Sequence, residues 1–156
     1  MLGVSKMLTP IFTIKKNSMN TKISISILGG IIGTAIMSIV MFIAPKMGIP
    51  KMSPPDMLAA MTGMSVIGGW VMHFMIGIIF AFTYTYLFAP TVKISNLFLK
   101  GSIFGLVVFI FAQIMMVIIG SMLSMPKMEG SMLLLMIGSI MGHIIYGMAV
   151  SKTVKF

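Results

Sequence analysis

The chain has 156 residues, 58% of them hydrophobic and 8% charged, with a mean hydropathy of +1.12 and a net charge of +9. A water-facing domain carries about 25% charged residues, so this composition excludes a soluble globular protein and points to lipid as the solvent. Eleven lysines, no arginine and two acids stand singly at the ends of apolar stretches, which excludes a nucleic-acid partner, and the absence of cysteine excludes disulfides, iron–sulfur clusters and thiolate zinc sites.

Residues 1–22 hold Lys6, Lys15, Lys16 and Lys22 and no apolar core adequate for a signal peptide. They are expected to form a cytoplasmic N-terminal tail. Met19-Asn20-Thr21-Lys22 is a more ordinary start, so residues 1–18 read as an overextended start or a loose tail.

Four apolar stretches follow, at 23–44, 66–88, 97–123 and 131–150. Each reaches the roughly 20 helical residues needed to cross a hydrocarbon core of about 30 Å. They predict an all-α polytopic membrane protein, with a four-helix transmembrane domain over 23–150 and a short cytoplasmic tail at 151–156. Prolines 45, 50, 54, 55, 90 and 126 lie at the ends of the stretches, never inside them. Pro54-Pro55-Asp56 has the form of a helix start, with the acid near the N-terminus where its charge is favoured. The second helix is therefore expected to begin as early as Asp56 and to run along the outer interface before it crosses.

Lysine placement sets the orientation. Eight lysines fall in the N-terminal tail, the second loop region and the C-terminus, and Lys46, Lys51 and Lys127 fall in the first and third loops, beside Asp56 and Glu129. The positive-inside rule then puts both termini in the cytoplasm. The expected location is a cytoplasmic (inner) membrane, crossed several times.

The two halves echo each other. Gly29-Gly30-Ile31-Ile32-Gly33 in the first helix matches Gly101-Ser102-Ile103-Phe104-Gly105 in the third. Gly69, His73 and Gly77 in the second helix match Ser139, His143 and Gly147 in the fourth. The pattern predicts two repeated hairpins related by an axis along the membrane normal, with His73 and His143 at one depth. Small residues four apart also form grooves for close helix approach in lipid. Gly29/Gly33, Gly69/Gly77, Gly101/Gly105 and Gly138/Gly142, with Gly147, are the expected helix-packing positions.

The two histidines carry what chemistry the sequence offers. Ionisable residues inside a membrane face the bundle interior or a cavity. Tyr146, Gln113, Thr34 and Ser139 are candidate partners for satisfied interhelical hydrogen bonds. The sharper reading makes His73 and His143 cofactor-binding, as axial ligands of a haem. The 21 methionines raise copper handling, since thioethers suit Cu(I), with Met47, Met52, Met57, Met61 and Met64 on one outer segment and Met122, Met125, Met128 and Met132 on another. Methionine is equally a flexible apolar filler. Trp70, Tyr84 and Tyr86 read as interfacial anchors, the two tyrosines at the cytoplasmic headgroups. No nucleophile–base pair, HExxH, phosphate loop or paired intramembrane carboxylate is present, so the chain is not expected to be an enzyme.

The segments Met41-Phe42-Ile43-Ala44-Pro45-Lys46-Met47-Gly48, Gly69-Trp70-Val71-Met72-His73-Phe74 with Gly77, and Gly142-His143 with Tyr146-Gly147 together resemble an uncharacterised bacterial family of small four-helix membrane proteins, a domain of unknown function, over roughly residues 25–150. The resemblance implies the four-helix membrane fold and no activity. Function is left between a structural or interaction subunit, a haem- or metal-binding protein using His73 and His143, and a small transporter or copper-handling protein. The bilayer itself, a homo-oligomer or other membrane subunits are the partners that fit.

Overall fold

A computed structural model describes residues 5–123 and 130–155, with side chains described for 19–123 and 130–155. Among the described residues the ordered elements are helices, with no strand: α1 (Ser5–Ile43), α2 (Pro54–Thr62), α3 (Val66–Thr91), α4 (Leu97–Met122) and α5 (Met132–Thr153). All but α2 include a stretch long and apolar enough to cross a membrane, in α1 from Met19 onward. The chain is thus an all-α polytopic membrane protein built as two hairpins, α1–α3 and α4–α5. Pro126, Lys127 and Glu129 lie outside the described residues, as do Met125 and Met128.

Helix ends follow from local chemistry. The first helix begins well before the expected residue 23. The expectation of one helix running from Asp56 through the membrane is corrected. Gly63, at φ 70°, ends α2, and the Ser65 hydroxyl opens α3 by accepting the Gly68 N–H at 3.3 Å. Asp56 does sit in the first turn of α2. The Asn96 side chain caps α4, accepting from the N–H groups of Phe98 at 2.9 Å and Leu99 at 3.2 Å. Near its end α3 widens into a π-helical stretch, Tyr84–Phe88. Pro90 follows directly, and a proline cannot donate to the carbonyl four residues back and crowds it. The Lys100 ammonium, 2.8 Å from the Ala89 oxygen, donates to one of the carbonyls there.

The helices pack in the order α3–α1–α5–α4, and α2 lies across the start of α3. Three seams are tight because of glycine: between α1 and α3 and between α4 and α5 it lets backbones meet, and between α1 and α5 it seats side chains of the facing helix. At the fourth seam, between α3 and α4, the backbones stay apart, and aromatic rings bridge the distance. Phe80 meets Phe111 with centroids 5.6 Å apart, and Phe104 meets Tyr84 at 5.0 Å and Phe88 at 5.1 Å. These contacts close the half of the seam nearest the chain termini. Outward-facing side chains such as Ile39, Phe42, Ile67, Ile79, Val117 and Leu133 are broadly exposed and apolar, as a lipid-facing surface requires.

Candidate functional site

Glycine places the two histidines. In hairpin one, Gly30 of α1 sits against the backbone of α3, where a Cβ would come 2.5 Å from Ile78 Cα, and Gly77 faces the Thr34 hydroxyl. In hairpin two, Gly101 sits against α5, where a Cβ would come 2.6 Å from Met148 Cα, and Gly147 faces the backbone of Gly101 and Gly105. One turn farther from the termini stand His73 and His143. The crossings are equivalent with Gly30 matched to Gly101, one residue from the Gly29–Gly101 match that the sequence suggested. Gly29 instead packs on Val154, and Gly33 on Tyr146 and Val150, so both belong to the α1–α5 seam. Gly69 lets α2 lie on α3 at the Pro55 carbonyl and Ala59, Gly138 receives Ile49, and Gly142 receives Met37 and Met41.

Both imidazoles line one cavity of about 200 Å³ between the hairpins. It lies near the middle of the four spans, and α2 roofs it with Pro54, Met57, Leu58 and Met61. Among the described residues no Lys, Arg, Asp or Glu lines it. Its polar groups are Thr34, Gln113, Ser139, Tyr146 and the two histidines.

The hydrogen bonds differ from those expected. His73 Nε2 lies 3.3 Å from the Ser38 hydroxyl. His143 Nδ1 lies 2.7 Å from the backbone oxygen of Ser139, one turn earlier on its own helix. A carbonyl only accepts, so His143 carries its proton on Nδ1 and leaves Nε2 as an acceptor. Tyr146 partners neither histidine. Its hydroxyl donates to the Gly77 oxygen at 2.5 Å, which the missing side chain at 77 leaves reachable. Thr34 is 1% exposed and its hydroxyl has no partner among the described residues. Ser38 was not anticipated, though it stands four residues after Thr34 and so on the same face of α1.

Tyr84 is also relocated. It is buried, not at the headgroups, and its hydroxyl donates to Ser151 at 2.7 Å. Beside it Ser26 meets Thr85 at 2.7 Å. Tyr86 is exposed. Trp70 is 40% exposed and turns its ring toward His73, with centroids 6.3 Å apart.

A porphyrin does not fit this site. Pockets for drug-sized ligands run to about 300–1,000 Å³, and this cavity falls below that range. The described methionines of the copper expectation divide between the cavity and other surfaces. Met57 and Met61 reach the cavity with Met37 and Met116, whereas Met47, Met64, Met122 and Met132 are exposed elsewhere. Among the described residues no group of three or more His, Cys, Asp or Glu could hold a metal.

Residues 20–156 match a family of unknown function, DUF6789, and the chain belongs to that family. No curated protein and no solved structure matches it.

Proposed function

We propose that the protein holds a small ligand inside the bilayer, in the cavity between its two hairpins, and that it binds without catalysing a reaction. The observation that carries this reading is the cavity wall, where Thr34, whose hydroxyl turns toward Gly77 and has no partner among the described residues, stands beside His73, Gln113 and His143. An unsatisfied buried polar group costs about 1–3 kcal/mol, and a bundle built only to pack would fill the space or pair the group. The half-buried Gln113 amide, across the cavity on α4, likewise has no hydrogen-bond partner among the described residues.

The natural chain has no cysteine, so a single introduced thiol reports on the cavity. Thr34→Cys and Gln113→Cys should react with a small, uncharged, membrane-permeant maleimide. Ala81→Cys, at a fully buried and packed position, should not. If all three are equally inert, the cavity admits nothing and the reading fails.

The same proposal places the protein in a bacterial inner membrane with both termini cytoplasmic. Five of the described lysines (22, 93, 100, 152 and 155) sit at the terminal end of the bundle, against Lys46 and Lys51 at the other.

A second reading, a structural or interaction subunit, is favoured by the hydrogen bond each histidine makes within its own hairpin. Its copies or partner subunits would meet on the lipid-facing helices. A copper-handling or transport role would use the same cavity and is favoured by its four methionines. The binding reading goes further than either, because neither engages Thr34 and Gln113.

A further inference from the structure

The cavity has a side as well as a roof, and the side faces lipid. The α3 and α4 backbones approach each other less closely than those at the other three seams. The aromatic bridge from Phe80–Phe111 toward the termini closes one half. In the other half the cavity wall is made by Ile76, Ala112, Gln113 and Met116 on either side of that gap. Ile76 itself is exposed. A ligand using this gap arrives from the hydrocarbon core, and an attached chain would remain there.

The chemistry of the chamber narrows the occupant. With no charged residue among the described residues of the wall, an ionic head would lose its hydration without a counter-charge. A neutral head is required. A cavity of about 150 Å³ takes up benzene, so about 200 Å³ accommodates one six-membered ring with small substituents. The flanking Phe80 offers an aromatic surface to such a ring.

The hydrogen-bonding groups then specify its substituents. The Ser38 hydroxyl has His73 Nε2 as its one partner among the described residues. Either partner can be the donor there, so His73 offers an N–H or a bare nitrogen at Nδ1. His143 presents a bare Nε2, as derived above. Thr34 and Gln113 can each donate and accept. Donor and acceptor capacity thus stands on both hairpins, on opposite sides of one ring-sized space.

Resting on the binding reading above, we infer that the occupant is a tailed quinone or its quinol: a neutral ring with oxygens at opposite ends, held between the hairpins, with its apolar chain leaving through the α3–α4 seam. Quinone oxygens would accept from His73, Thr34 or Gln113, and quinol hydroxyls would donate to His143. The inference concerns binding alone and includes no electron transfer.

Trp70 supplies the test. It is the single tryptophan of the chain and lies against His73. The protein in mild detergent is titrated with a decyl-substituted benzoquinone while Trp70 fluorescence is followed. Saturable quenching is expected, and Thr34→Cys should be protected from the maleimide over the same concentration range. Ala112→Phe, which fills the cavity, and the double variant Thr34→Val/His143→Leu should each weaken the apparent affinity at least tenfold. Unchanged Trp70 emission maxima before titration show that these variants are folded. Tetramethyl-benzoquinone, which has the ring and no chain, should bind at least tenfold more weakly than the tailed compound.

Linear quenching that is identical in wild type and Ala112→Phe is partition into detergent and overturns the inference. Equal affinity for the tailed and tailless rings overturns the seam route. If Thr34→Cys reacts with maleimide and the tailed quinone neither quenches nor protects, the quinone assignment falls and the binding reading stands. If Thr34→Cys and Gln113→Cys are both as inert as Ala81→Cys, the binding reading falls and takes this inference with it.

Discussion

The two hairpins share a crossing and differ in what lines it. On the pairing helices the equivalence runs at an offset of 71, Gly30 with Gly101, Thr34 with Gly105 and Ser38 with Phe109; on the histidine helices it runs at 70, His73 with His143 and Gly77 with Gly147. Hairpin two is glycine against glycine, and an aromatic ring, Phe109, lies edge-on to its histidine at 5.7 Å. Hairpin one has hydroxyls at both equivalent places, Thr34 toward Gly77 and Ser38 toward His73. One copy of the duplicated unit is dry and close-packed. The other keeps polar groups that packing does not need. Under the binding reading proposed above, the glycine seam makes hairpin two a rigid wall and hairpin one carries the extra hydroxyls, while both offer the cavity polar groups, His73 on one and Gln113 and His143 on the other.

The largest test strikes the wall. A Cβ at Gly147 would meet only backbone, Gly101 O, Gly105 N at 2.6 Å and Gly105 Cα at 2.8 Å. No side chain can move aside, so α4 and α5 must separate. Gly147→Ala should cost more than about 3 kcal/mol, at or beyond the upper end of ordinary overpacking, or prevent folding. Denaturant titration in bicelles measures it. A loss under about 1 kcal/mol would mean that the dry seam is not what holds hairpin two together.

The matching change in hairpin one should be gentler and repairable. A Cβ at Gly77 meets the Thr34 hydroxyl, a side-chain atom, with Gly30 O next at 3.5 Å. Gly77→Ala should cost about 1–3 kcal/mol, and adding Thr34→Ala should recover most of it. The coupling between the two positions should exceed about 1 kcal/mol. Additive effects would dissolve the proposed contrast between hydroxyl and glycine seams.

Between the hairpins, Tyr146→Phe removes the hydrogen bond to the Gly77 oxygen. Side-chain hydrogen bonds between membrane helices average about 0.6 kcal/mol, with a maximum of about 1.7. A loss of about 1 kcal/mol is expected, and Gln113→Leu, whose amide has no protein partner, should cost less than half of that. The reverse ranking would place the structural bond at Gln113.

The fold was legible from the sequence because lipid imposes a coarse requirement: about 20 apolar residues per crossing. The ends of the membrane helices fell within a few residues of the observed ones on α3, α4 and α5. The break at Gly63–Ser65 was missed, although a glycine and a capping serine three residues before Gly68 were both in view. The pairing of His73 with His143 around one space was foreseen from a common spacing to glycine. Their partners were not. Hydropathy sees a threonine or a serine in a membrane helix as tolerable and says nothing of which neighbour it faces. The one-residue slip between Gly29 and Gly30 shows the same limit, because adjacent glycines are interchangeable in a pattern and lie about 100° apart on a helix of 3.6 residues per turn. Tyr84 was misplaced for a related reason: a tyrosine near a helix end is an interfacial anchor only if its face points to lipid, and here it points to Ser151.

The finest test concerns the histidines themselves. Ser38 reaches His73 at 3.3 Å, a long hydrogen bond, so Ser38→Ala should change stability by no more than about 0.6 kcal/mol. Its value lies in the proton it directs. With Ser38 present, the contact favours one tautomer of His73; with alanine there, nothing fixes that choice. His143 takes its direction from the Ser139 carbonyl on its own helix and should not respond. Nitrogen-15 spectra of imidazole-labelled protein in bilayers distinguish the two tautomers directly. In wild type His143 should be protonated at Nδ1, and His73 should show one predominant tautomer. In Ser38→Ala the His73 signals should shift toward a mixture while those of His143 hold still. Phe109→Ser, which gives hairpin two the group that hairpin one already has, should leave the His143 tautomer in place, since a second donor at Nε2 agrees with the proton already on Nδ1. If both histidines answered Ser38→Ala equally, the two halves would share one polar network, and the division into a rigid wall and a hydroxyl-bearing side would be lost.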